Sequence, residues 1–293
     1  MNHLNKVIVF YFLFVQFHIG YSQLNPQIFK PQVALGEIVD KQLSELSGII
    51  NAKQSSYFWV HNDSGDDARV YLINKKGKLV CTYELESIQV KDCEDIGRVM
   101  IKGKSFLILA DIGDNRARRK NIKLHIFPEP VYKDGDQLVS IPKDDIRTVT
   151  LRYKDGPRDA EALFVDPIDH QLYIVSKRDF QSTVYTATVF SNSKKNFSML
   201  TPVQKLPFTF VTSSDISPSG DAILIKNLTQ IFYWKRRRGG SIEQTLSQKP
   251  VSIPYEIESQ GEAIAFGLEG EGFYTVSERP FGLKSYLYFF EKR

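Results

Sequence analysis

Five short segments of this chain carry one pattern: a hydroxyl or carboxylate, a small or acidic residue, then an aliphatic one, opening a strand after a loop. They are Leu46-Ser47-Gly48-Ile49, Cys93-Glu94-Asp95-Ile96, Ala160-Glu161-Ala162-Leu163, Ser213-Ser214-Asp215-Ile216 and Gly261-Glu262-Ala263-Ile264. Their second residues follow one another at steps of 47, 67, 53 and 48 residues, close to the roughly 50 residues of one four-stranded propeller blade. The repeat predicts an all-β fold, a five-bladed β-propeller. Ser47, Glu94, Glu161, Ser214 and Glu262 would each open the innermost strand of one blade beside a common axis.

Strand signals fill in the blades. The first reads as 47–50, 57–61, 69–73 and 79–83, and the second as 94–100, 105–111, 122–128 and 148–153, with a long polar connection over 129–147. The third reads as 161–165, 171–176, 184–190 and 202–208, and the fourth as 214–217, 222–226, 230–235 and 250–256. The fifth, 262–266, 272–277 and 285–290, ends one strand short. Residues 32–39 alternate suitably and precede the first repeat, so an N-terminal strand is expected to close the ring and remove its open edges.

Met1 to Lys6 is short and basic, Val7 to Ile19 is almost wholly apolar, and Gly20-Tyr21-Ser22 offers small residues for cleavage. Together they read as a signal peptide over 1–22. The run is shorter than the roughly 20 residues of a spanning helix. The mature chain, 23–293, is therefore expected as one secreted domain, extracellular or periplasmic, free of the membrane once the signal is removed. A net charge of +4 is mild, and nucleic acid is not expected as a partner. Two basic runs stand out, Arg116-Ala117-Arg118-Arg119-Lys120 and Lys235-Arg236-Arg237-Arg238; the second, followed at once by Gly239-Gly240, reads as a solvated loop tip. In this assignment Cys81 begins an outermost strand and Cys93 the next innermost one, at opposite ends of their strands, against the Cα separation under roughly 7 Å that a disulfide requires.

In such a ring the start of the innermost strand and the end of the second share one face. The segments ending the second strands are His61-Asn62-Asp63-Ser64-Gly65-Asp66, Asp111-Ile112-Gly113-Asp114-Asn115-Arg116, Lys177-Arg178-Asp179, Lys226-Asn227 and Ser277-Glu278-Arg279, almost all polar. Three inward carboxylates near one axis repel, so they hold protons, share a cation, or accept hydrogen bonds from neighbouring amides. Hard oxygens suit calcium, which takes 6–8 oxygen ligands. Zinc lacks a His/Cys set at ligand spacing here.

The set Ser, Glu, Glu, Ser, Glu, one per blade of five, is similar to the central calcium shell of the calcium-activated nucleotidases (apyrases). Glu45-Leu46-Ser47, the acidic loop from Asp63 to Asp66 and Val70-Tyr71 resemble that family's opening blade. The resemblance implies a central calcium on Ser47, Glu94, Glu161, Ser214 and Glu262. Glu161-Ala162-Leu163 and Gln260-Gly261-Glu262-Ala263-Ile264 look like blade-opening motifs of secreted phytase-like and esterase-like propellers. The loops at His61 to Asp66 and Asp111 to Arg116 resemble those of a group of secreted bacterial propellers. The nucleotidases' base-binding surroundings are not recognisable here, so nucleotide specificity does not carry over.

These features predict a secreted calcium-dependent hydrolase of a small phosphate-bearing or other anionic substrate. Arg116, Lys177, Arg178 and Arg279 would offset developing charge beside the metal, and Asp63, Asp111, Asp114 or Glu278 would position or deprotonate water. Two alternatives stand beside it. One is a non-catalytic propeller that binds a ligand, glycan or protein around a structural metal. The other is a glycosidase drawing its carboxylates from Glu94, Glu161 and Glu262, although Ser47 then occupies a place where a carboxylate is expected. Asn62-Asp63-Ser64, Asn196-Phe197-Ser198 and Asn227-Leu228-Thr229 fit the glycosylation pattern weakly. Ser217-Pro218-Ser219-Gly220-Asp221 reads as a turn between the first two strands of blade four.

Overall fold

The computed structural model describes residues 27–190 and 195–293, so the expected signal segment at 1–22 lies outside the described residues. The regular secondary structure of the described residues is almost all β-strand. It begins with β1 (Val33–Ile38) and continues into an antiparallel meander of β2 (Leu46–Asn51), β3 (Tyr57–Asn62), β4 (Arg69–Asn74) and β5 (Leu79–Leu85). A second meander has β6 (Cys93–Ile101), β7 (Lys104–Asp111) and β8 (Ile122–Pro128); β9 (Leu138–Ile141) then pairs parallel to β5, and β10 (Arg147–Tyr153) returns to β8. The third contains β11 (Ala160–Val165), β12 (Gln171–Ser176), β13 (Thr183–Thr188) and β14 (Phe197–Lys205). The fourth contains β15 (Val211–Ile216), β16 (Ala222–Asn227), β17 (Ile231–Lys235) and β18 (Val251–Ile253). The last has β19 (Gly261–Phe266), β20 (Gly272–Ser277) and β21 (Ser285–Glu291), and its fourth strand is β1.

The innermost strands follow one another in a cycle, with β2 beside β6, β6 beside β11, β11 beside β15, β15 beside β19, and β19 beside β2. One apolar cluster fills each gap. Trp59 and Leu107, Ile108 and Leu163, Phe164 and Ile223, Leu224 and Ile264, and Ala263 and Ile49 belong in turn to the five clusters, each pair drawn from neighbouring meanders. Because both faces of each inner strand are covered, β2, β11 and β19 are buried along their whole length, and adjacent apolar residues such as Ile49 and Ile50 replace strict alternation.

Two edges are covered in ways the sequence reading did not anticipate. The connection over 129–147 carries β9, which pairs Thr82 to Leu85 with Leu138 to Ile141. Its start is fixed by Glu129, which accepts from Trp59 Nε1 at 2.9 Å and meets Arg98 Nε at 3.2 Å. Strand β14 begins earlier than expected, at Phe197. Its first half runs parallel to β10 and its second half antiparallel to β13, which joins the second and third meanders into one eight-stranded sheet. Both additions occupy backbone groups that an open edge would expose. The connection after Gly239-Gly240 is a short helix, α1 (Ile242–Leu246), opened by a capping box between Ser241 and Gln244.

The N-terminal strand pairs with the last strand as expected, from Val33 opposite Phe289 to Ile38 opposite Ser285. Phe29 extends the seam, packing edge-on against Phe273 at 4.8 Å and Tyr233 at 5.6 Å. Removing residues 27–39 is expected to expose the β21 edge and to abolish cooperative thermal unfolding or cause aggregation. An unchanged melting transition would contradict the closure. Cys81 and Cys93 are buried and unbridged. The segment from Ser217 to Asp221 is a turn, closed by Gly220 N donating to Ser217 O at 2.7 Å. The solvated-tip reading of the second basic run needs correction at Arg236, whose nearly buried guanidinium meets Asp166 at 2.8 Å.

Candidate functional site

The register of each inner strand breaks at one place. Ser47, Glu94, Glu161 and Glu262 each sit in the shift between an innermost strand and its partner, bracketed by Leu46/Gly48, Cys93/Asp95, Ala160/Ala162 and Gly261/Ala263. A bulge adds an unpaired residue and re-aims its side chain. In the fourth meander the break falls between Val211 and Ser213, so Thr212, not Ser214, occupies the equivalent position. Ser214 stands where Ile49, Ile96, Leu163 and Ile264 stand in the other meanders, and its buried hydroxyl has no hydrogen-bond partner. Thr212 is fully buried and donates to Gly261 O at 3.0 Å.

Around these bulges the acidic side chains converge. Oxygens of Asp63, Asp92 and Glu94 lie within 4.8 Å of one another, and so do those of Asp63, Glu262 and Glu278. Asp63 belongs to both groups. Gly113 makes the approach possible, since a Cβ there would collide with the carboxylates of Glu94 and Asp92. Ser47 Oγ donates to Glu94 O at 3.1 Å. Lys177, itself buried, reaches in from the end of β12, its Nζ paired with Glu161 and 3.5 Å from Glu262 Oε1. Glu94, Glu161 and Glu262 are thus brought together, with Asp63, Glu278 and Lys177 among them.

Burial dominates the electrostatics. It drives Glu94 well above the usual carboxylate range, with the Glu161 charge adding to it. Glu161 rises to about 8 through burial, although Lys177 opposes the shift. Glu278 rises to about 9 through burial and the adjoining Glu262, and half-buried Asp63 to about 6 through burial. Burial pulls Lys177 down, but Glu161 and Glu262 outweigh it and the net shift is upward. Carboxyl groups with raised native pKa values bind more protons folded than unfolded, so cation-free protein should lose stability as pH climbs from about 6.5 to about 9, above the interval in which buried His61 and His125, held down to about 4, act in the opposite sense. Chemical denaturation at pH 7, 8 and 9 checks this; a stability that rises over that range would contradict it.

The other expected site residues lie around this cluster. Asp111 is buried and meets Arg119 at 2.7 Å, and Asp114 accepts from Arg119 N at 2.6 Å, so Arg119 clamps their loop. Arg178 Nε meets buried Asp159 at 2.6 Å while its guanidinium also holds Asn115, and Arg116 beside it is exposed. Arg279 turns outward and donates to Ile38 O and Asp40 O, tying the N-terminal segment to the last meander. Asp111, Asp114 and Arg279 therefore hold loops in place, whereas Asp63, Lys177 and Glu278 enter the cluster.

Asp92, Asp159, Arg119 and Thr212 escaped the sequence reading. A signal existed for the first two. Glu45, Asp92 and Asp159 each stand two residues before a bulge residue, an acidic-x-polar pattern in three of the five segments. No protein-family model matches the chain, and a comparison with curated proteins finds no match.

Proposed function

We propose that the chain is an exported five-bladed β-propeller whose axial carboxylates hold a divalent cation, calcium, and that it hydrolyses a small phosphate-bearing or other anionic substrate. The cyclic order of the innermost strands, with one apolar cluster in each gap, supports the propeller reading. The observation that carries the cation is the sharing of Asp63 between two carboxylate groups. Asp63, Asp92, Glu94, Glu161, Glu262 and Glu278 lie close together, with Lys177 among them and Arg119 acting on Asp92, and a dication supplies the charge that these two do not. The favoured ligands are Asp63, Asp92, Glu94, Glu262 and Glu278. Glu161 is committed to Lys177, and Ser47 acts through Glu94.

Bound calcium would neutralise phosphate oxygens. The chain's own groups divide the remaining work. Arg178, at the mouth and anchored by Asp159, offers its guanidinium to the anion, and exposed Arg116 adds charge beside it. Without the cation Glu278 holds its proton to about pH 9 and Asp63 to about pH 6; as ligands both would give those protons up and hold the cation as carboxylates. A calcium-dependent release of phosphate from a panel of nucleotides, phytate and aryl phosphates tests the reading. Arg178→Ala should raise KM about tenfold with little change in kcat, as loss of a charge-assisted contact made in both ground and transition states would. Calcium-loaded protein that releases no phosphate from any of them would instead favour a non-catalytic binding propeller. That second reading draws on Lys177, which already offsets part of the central charge.

A further inference from the structure

We infer that the substrate carries an apolar ring, seated against Phe180, Phe210 and Leu228 on the fourth-meander side of the mouth. This rests on the function proposed above and narrows its substrate class to phosphoesters of aryl or comparably apolar alcohols. The fourth meander is the only one of the five without a charged side chain at the bulge, two residues before it, or directly after its second strand. Two residues before the bulge the others present Glu45, Asp92, Asp159 and Gln260, whereas the fourth presents Phe210. At the bulge itself it has Thr212, a hydroxyl like Ser47, and after its second strand it has Leu228, where the first, third and fifth have Asp63, Lys177 and Glu278 and the second has the buried Ile112. One sector of an otherwise acidic mouth is therefore apolar.

Phe180 adjoins this sector from the third meander. It lies three residues beyond Lys177 and is 98% exposed. Its loop is bound to the Phe210 segment, with Phe210 N donating to Lys177 O at 2.9 Å and Ser182 N donating to Phe208 O at 2.9 Å. Neither ring serves the core. Phe208, two residues earlier, stacks on Phe232 at 3.8 Å, but Phe210 is 45% exposed and sits at φ 56°, a left-handed backbone that bulky residues avoid. An exposed aromatic held in a strained conformation at a site mouth is accounted for by a ligand that covers it. Arg178, between Lys177 and Phe180 in the chain, puts the anionic end of such a ligand next to its ring.

The test uses phosphate, methylphosphonate and phenylphosphonate, the last two resistant to hydrolysis, with the full calcium-loaded chain in calorimetric titrations. Phenylphosphonate should bind about tenfold more tightly than methylphosphonate, the scale of one aromatic contact. Phe180→Ala and Phe210→Asn should each reduce that preference several-fold while leaving phosphate affinity and the melting temperature unchanged. Phe180 loses no burial, and asparagine accepts a left-handed backbone, so neither variant puts folding at risk. Equal binding of the two phosphonates overturns the ring inference and leaves the phosphate reading standing. A preference that survives in both variants overturns the placement of the ring. Failure of all three ligands to bind overturns the inference together with the function beneath it.

Discussion

Lys226→Met is expected to lower the free energy of unfolding by about 3–5 kcal/mol, the cost of leaving a buried charge without its partner. Lys226 is the last charged residue of β16 and its side chain is fully buried. Its Nζ pairs with Glu258, which also accepts from Thr275 Oγ1, and lies 4.7 Å from the ring centre of Tyr255. Gly261 leaves the space, because a Cβ there would strike both the ammonium and the carboxylate. The pair thereby links the fourth and fifth meanders behind the bulge at Glu262. Changing both partners, Lys226→Met with Glu258→Gln, should cost distinctly less than Lys226→Met alone, since no unpaired charge remains. Urea denaturation measures both; a loss under about 1 kcal/mol for the single variant would mean that Glu258 finds another partner.

Asp63→Asn should have two effects of opposite sign. In the parent, calcium at about a hundred times its dissociation constant should add about 2.7 kcal/mol of stability. The variant should lose most of that gain, because Asp63 is common to both carboxylate groups. Without calcium, near pH 8, the same variant should melt higher than the parent, since one charge has left a set of mutually repelling carboxylates. A variant that keeps the parent's calcium response would remove Asp63 from the ligand set. One that loses stability without calcium would show its carboxylate to be a structural hydrogen-bond acceptor instead.

Much of this was legible in the chain, and the failures have physical causes. Four of the five strand openings and the closing strand at Val33–Ile38 followed from spacing and alternation. The slip from Thr212 to Ser214 arose because strand periodicity is two residues: a two-residue shift leaves every side chain on its original face. Only the bulge distinguishes Val211-Thr212-Ser213 from the segment that follows it, and a bulge depends on the partner strand. Strand β9 was hidden because its neighbour, β5, belongs to another meander, so no local pattern announced the pairing. Lys177 was expected to meet a ligand at the mouth. Its length carries the ammonium inward to Glu161 and Glu262, a choice made by the charge of residues far away in sequence. The basic run at Arg116 to Lys120 likewise divided by contact, with Arg119 clamping Asp111 and Arg116 left exposed.

The central claim is that the axial carboxylates hold a divalent cation. The most direct measurement is the thermal unfolding of chelator-treated full-length protein near pH 8 across a calcium series, with metal content determined on the same samples. The account predicts a saturable rise of several degrees in melting temperature, accompanied by bound calcium and reversed by chelator. A melting temperature that calcium does not move, in folded protein that retains no metal, would contradict it and leave Lys177 and shared protons as the counterbalance to the carboxylates.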